Sequence, residues 1–172
     1  DTLSPVDRQS IALEISSLRD QVLSLANSQD TNGNYLFSGS RVGSPAFGKN
    51  AEGQIVYQGD ESRMKVAVGD NRRMNLNMPG SDAFGKVIRT DVNGAKTGVG
   101  FFQAIDDLAN AVKNSDHNNI QRGISEIDGL QQVVSDATAQ IGTDMNVVDM
   151  QNSVLDEITL RLKTTKSDAE DL

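Results

Sequence analysis

The order of residue patterns predicts a multi-domain α+β protein, an elongated helical bundle into which a small antiparallel β domain is inserted. Three observations predict it. Apolar residues recur at helical spacing near the start and again after residue 91, the period drops to two in between, and glycines punctuate that middle stretch. The helical rod is expected over residues 1–34 and 91–172, and the inserted β domain over 35–90.

The first helix begins at Ser4. Its hydroxyl can cap, Pro5 suits the first turn, and Asp7 meets the positive helix end. Ile11, Ile15, Leu18, Val22 and Leu25 then alternate spacings of four and three, the pattern of a seam against partner helices. At Asn27 to Gly39 the chain reads NSQDTNGNYLFSG. The Asn/Asp/Gly cluster should end the helix, and Tyr35, Leu36 and Phe37 favour a strand.

Beyond that border, strands are expected around Tyr35 to Phe37 and Ile55 to Gln58. A hairpin should place Met64, Val66 and Val68 opposite Met74, Leu76 and Met78 across a Gly69-Asp70-Asn71 turn. Helical spacing returns through Phe101, Phe102, Ile105, Leu108 and Val112, and residues 114–119 form a polar turn. A long helix follows from Ile120 through Ile141, Met145, Val148, Leu155 and Leu162, on the order of 65 Å in length. Thr138, Asn152 and Thr159 interrupt its seam, and Gly142 beside it would permit a bend or a close helix contact.

Composition narrows the function classes. With 16 basic and 24 acidic residues, the net charge is −8, and the pI is about 4.6. That disfavours phosphate backbones and anionic lipid, so neither nucleic acid nor a membrane is an expected partner. There is no Cys and no Trp, and aromatics are 4% of the chain, which leaves no thiolate chemistry and little material for an aromatic binding cleft.

No constellation for catalysis, cofactor or metal emerges. Asp30, Asn32 and Asn34 begin a calcium-loop pattern, but Tyr35 stands where that loop needs glycine and Arg41 where it needs a bidentate glutamate. Gly94, Gly98 and Gly100 precede a helix without the spacing or the Lys of a phosphate loop. His117 is the only histidine and has no companion in its polar turn. The carboxylates are scattered along helix faces, and Arg72 and Arg73 read as an exposed turn. We therefore expect no enzyme and no cofactor.

The Asn27 to Gly39 stretch, Tyr57-Gln58-Gly59-Asp60, Pro79-Gly80 with Phe84, and Ile141-Gly142 in a long final helix together resemble the flagellar hook-associated protein 3 family, relatives of flagellin. The residues that carry the resemblance most are Asn27, Asp30, Gly33, Asn34, Tyr35, Leu36, Phe37, Gly39, Tyr57 and Gly59. The resemblance implies a flagellin-like rod and a structural subunit between hook and filament. Its partners would be its own copies in a ring, flagellin, the adjacent hook-associated protein and an export chaperone. It further implies an extracellular place in the flagellum, reached through the flagellar channel, and a core that lacks the family's terminal segments and is monomeric by itself. A short flagellin is the nearest alternative, and a secreted binding or adhesion module is an alternative of another class.

Overall fold

In a computed structural model, the backbone is described for residues 4–71, 73–91 and 93–170, and the side chains of residues 141, 143–156, 159 and 162–170 lie outside the description. Helix α1 spans Pro5–Ala26. It starts as its sequence predicts: the Ser4 hydroxyl accepts from the Asp7 N–H, and the Asp7 carboxylate accepts from the Ser4 N–H, a reciprocal cap. Six short strands follow: β1 (Phe47–Lys49), β2 (Ile55–Tyr57), β3 (Lys65–Ala67), β4 (Arg73–Asn75), β5 (Val87–Thr90) and β6 (Lys96–Val99). A single-turn helix α2 (Gly80–Ala83) precedes β5, and α3 (Phe101–Lys113) and α4 (His117–Glu170) close the chain.

The strands form three separate antiparallel pairs, β1–β2, β3–β4 and β5–β6. The expected hairpin is present, with Val66 opposite Met74. No strand covers Tyr35 to Phe37. Tyr35 makes a single bridge with Gln29, while the Tyr35 and Leu36 N–H groups donate to Val42 and Ser28. Backbone bonds that would have built a ladder are taken up by a knot of turns instead. The β5–β6 pair also crosses the expected boundary at residue 90.

Helix α1 packs along α3, and α3 packs along α4. The α1 end at Ala26 shares a cluster with the α3 start at Phe101 and Phe102, whereas Arg19 pairs with Asp106 further along, so α1 and α3 run antiparallel. Among the described residues the chief neighbour of α1 is α3, and not the long final helix. The residues α1 buries are also shifted. Ala12 and Ala26 are buried and Arg19 lies between them at seven-residue spacing, each one position past Ile11, Leu18 and Leu25. One residue is 100° around a helix, so the packed stripe sits beside the apolar seam. Small alanines let α3 approach closely. Ile11, Ile15 and Val22 are half-buried, and Leu18 and Leu25 are exposed.

The α3–α4 connection is tighter than the expected 114–119 turn. The Asp116 N–H donates to the Ala111 carbonyl and the Ser115 N–H to Val112, with Ser115 at φ 58°, a Schellman closure without glycine. Asp116 then accepts from the Asn119 N–H, so His117 opens α4 instead of sitting in the turn. Helix α4 runs unbroken for 54 residues, about 80 Å, straight through Gly142. Ile141, Met145, Val148, Leu155 and Leu162 belong to this helix, but their side chains lie outside the described residues.

Candidate functional site: an aromatic junction

All five phenylalanines of the chain meet at one place. Phe37, Phe47, Phe84, Phe101 and Phe102, joined by Tyr57, form a continuous set of ring contacts with centroids 5.1 to 6.3 Å apart, mostly edge to face. Such pairs add roughly 0.5 to 1.5 kcal/mol each beyond area burial. Ala26 from α1, Ile55 from β2, Val87 from β5 and Leu130 from α4 complete the buried cluster. Helices α1, α3 and α4 and strands β1, β2 and β5 thus each contribute a buried residue or a ring to it, and Phe84 joins from the residue just past α2.

Polar groups fix this junction in register. Asn27, the C-cap of α1, uses both ends of its amide on one residue: Nδ2 donates to the Phe47 carbonyl and Oδ1 accepts from the Phe47 N–H, each at 2.9 Å. Helix end and first hairpin are thereby clamped together. The Tyr57 hydroxyl lies 3.0 Å from the Phe37 carbonyl and 2.7 Å from that of Asp60, and burial raises its pKa. The Gly80 N–H donates to the Phe37 carbonyl at 2.7 Å, and a Cβ at Gly80 would fall 2.8 Å from the rings of both Phe47 and Tyr57. Only glycine fits there.

The carboxylates of the junction are committed to backbone. Asp60 accepts from the Ser40 hydroxyl and from the Ser40 and Ser62 N–H groups, which hold its carboxyl well below the usual range. Asp30 accepts from the N–H groups of Asn34 and Asn32 and from the Asn34 side chain, and its pKa is lowered for that reason. This loop recurs. In Asp30-Thr31-Asn32-Gly33-Asn34, Asn50-Ala51-Glu52-Gly53-Gln54 and Asp91 to Ala95, the first side chain caps the N–H groups two and four residues on, and its carbonyl accepts from the glycine. The glycine has φ of 80° or 81° in all three. The calcium-like spacing at Asp30 is the signature of this turn, because its oxygens already face amides. Among the described residues, no group of three or more His, Cys, Asp or Glu could hold a metal.

A second fixed point lies nearby. Arg89 on β5 makes a bidentate pair with Glu126 on α4, both bonds 2.7 Å, and a third bond of 2.7 Å to Asp107 on α3. Glu126 is buried, so the pair binds the third hairpin to two helices at once.

Asn27, Phe37 and Tyr57 meet at this junction, with Gly39 and Gly59 beside Asp60 and Tyr57; Asp30, Gly33, Asn34 and Tyr35 belong to the neighbouring turn, and Leu36 faces outward. The seam residues Ile11, Ile15 and Leu18 lie further along α1. In the sequence, Asp60, Gly80 and Phe84 stand out only by the resemblance, Phe101 and Phe102 only by helical spacing, and nothing local marks Phe47 or Arg89. Their signal is weak locally, since the five Phe share no period; the scarcity of aromatics was the available clue.

The fold, with two long helices, a shorter one and hairpins branching from a shared hydrophobic junction, is also found in solved structures of flagellar hook-associated proteins. The structure is similar to that of FlgL from Xanthomonas campestris, with a TM-score of 0.78 and 23% identity over 97% of this chain and 84% of that one. It is also similar to flagellar hook-associated protein-3 from Legionella pneumophila, with a TM-score of 0.79 and 16% identity over 96% of this chain and 83% of that one. In sequence the chain is 27% identical over 184 aligned residues to flagellar hook-associated protein 3 of Salmonella typhimurium, and equally so to that of Escherichia coli. These alignments cover 99% of this chain and 57% of each relative, so the chain spans little more than half the length of the curated relatives it matches. No protein-family model matches it. The resemblance read from the Asn27 to Gly39 stretch is borne out by these likenesses.

Proposed function

We propose that the protein is a structural subunit of the bacterial flagellum, joining hook to filament at their junction, and not an enzyme. The similarity to hook-associated protein 3 along 99% of the chain is the observation that carries this reading. The carboxylates of Asp30 and Asp60 serve turns and not a substrate in this reading.

On this reading, residues 1–34 and 91–172 supply an elongated rod and residues 35–90 an outward-facing insertion, with β6 crossing that boundary to pair with β5. The exposed Leu18 and Leu25, beside the stripe that packs on α3, support a role for the α1 seam in side contacts between copies arranged as a ring. The seam of α4, from Ile141 to Leu162, would serve the same contacts. Flagellin and the neighbouring hook-associated protein are the axial partners, an export chaperone holds the chain before assembly, and the assembled protein is extracellular.

A chimera tests the proposal. Replacing the matching segment of the Salmonella relative with this chain, in cells lacking that relative, should restore filaments on hooks and swimming. Filaments that grow from this chain alone, without flagellin, would instead assign it to the filament. Folded, exported chimera that leaves hooks bare would overturn the junction reading.

A further inference from the structure

Charge divides the chain in two. Residues 35–90 hold eight Lys or Arg against five Asp or Glu, a net +3, while the rest of the chain holds eight against 19, a net −11. An acidic subunit thus carries one basic region. Within it Arg41, Arg63 and Arg89 are engaged inside the chain, by Asp60, Asp82 and Glu126. Lys65 and Arg73 on β3–β4 differ. Both are exposed, and among the described residues neither has an ion-pair partner. The register sets Lys65 opposite Asn75 and Ala67 opposite Arg73, so these four exposed residues share one face of the hairpin, and Met74 lies half-buried on the other.

Helix α1 offers the complement. Glu14, Leu18 and Leu25 recur at spacings of four and seven and so share a face beside the stripe that packs on α3; all three are exposed, and Glu14 has no ion-pair partner among the described residues. Asp7, seven residues before Glu14, adds a second exposed carboxylate to that face.

We propose that the basic face of β3–β4 on one copy docks on the Glu14–Leu18–Leu25 face of α1 on the next, an interface that rests on the reading of copies arranged as a ring. The alkyl stems of Lys65 and Arg73 cover Leu18 and Leu25, and their charged heads meet Glu14 and Asp7. Charge also selects the mode of contact. A two-fold contact centred on either surface would set like charge against like, whereas hairpin on helix joins opposite charges through two different surfaces and so continues from subunit to subunit.

Disulfide trapping on the whole folded chain tests the interface. Copies with Ala67→Cys are mixed in equal amounts with copies with Gln21→Cys, an exposed position seven residues from Glu14, and oxidised gently; the chain has no Cys of its own, so every disulfide joins the chosen positions. The mixed dimer should exceed each homodimer about tenfold, against about twofold for random pairing, and the preference should vanish at about 1 M salt, where charges act only within about 3 Å. Lys65→Glu with Arg73→Glu should abolish the preference, and Glu14→Lys on the other copy should restore it. Random pairing at low salt, a preference indifferent to the hairpin reversal, or no rescue by Glu14→Lys would each overturn the proposal. These outcomes are separate from bare hooks in the chimera, which would overturn the junction reading instead.

Discussion

The β1–β2 and β3–β4 hairpins are of equal size, three residues per strand in antiparallel register, yet they are held in opposite ways. The first inserts Phe47, Ile55 and Tyr57 into the aromatic junction, and Asn27 clamps its backbone. The second leaves Val66 and Leu76 exposed, at 37% and 60%, and is fastened by one asparagine and one ion pair. Two-residue periodicity is the same in both. The difference lies in whether the apolar face meets rings from other elements, so a hairpin pattern specifies pairing but not anchorage.

Removing the anchor should have the largest effect. Phe102 is 1% exposed and contacts Phe47, Phe84 and Phe101, so Phe102→Ala should cost about 3 to 5 kcal/mol in denaturant unfolding. Breaking the ion pair that fastens the third hairpin comes next. Arg89→Ala leaves the buried Glu126 with only the longer Arg122 pair at 3.4 Å and should cost about 2 to 3 kcal/mol, measured the same way.

Acid sharpens the comparison at the loop that joins the two hairpins. The pKa of Asp60 is depressed in the folded chain, so its contribution is present above the ordinary value of 3.8 and is lost as pH falls from there toward the folded value. Asp60→Asn should flatten that part of the stability profile between pH 2 and 4, as unfolding curves at stepped pH would show; an unchanged acid slope would remove Asp60 from the account. The smallest effects belong to the outward residues. Leu18→Ala and Leu76→Ala should each change stability by no more than about 0.5 kcal/mol, since both side chains already meet solvent. A loss comparable to that of Phe102→Ala would mean these positions are covered.

Much of the local structure was legible in the sequence. Ser4, Pro5 and Asp7 announced α1, the alternation around Gly69 announced β3–β4, and the spacing from Ile120 announced a long helix, because caps, turns and periods are properties of neighbouring residues. What depends on distant residues was not. The α1 seam followed its large side chains, whereas packing selected Ala12 and Ala26, where an absent side chain is the qualification. The Tyr35 to Phe37 segment has strand composition, but its N–H groups find Ser28 and Val42 before any partner strand. The expected single β domain became three pairs, each closed by its own turn. The junction itself was hidden because its rings come from positions 37 to 102, and the clue in their scarcity concerns number, not place.

Native-state hydrogen exchange compares the two hairpins most directly. The amides of Phe47 and Gly80, bonded to Asn27 and Phe37, should exchange only with unfolding of the whole junction, whereas those of the β3–β4 ladder and Leu76 should exchange at least about 100-fold faster through local opening. Equal protection in the two hairpins, lost together in one cooperative step, would contradict the account.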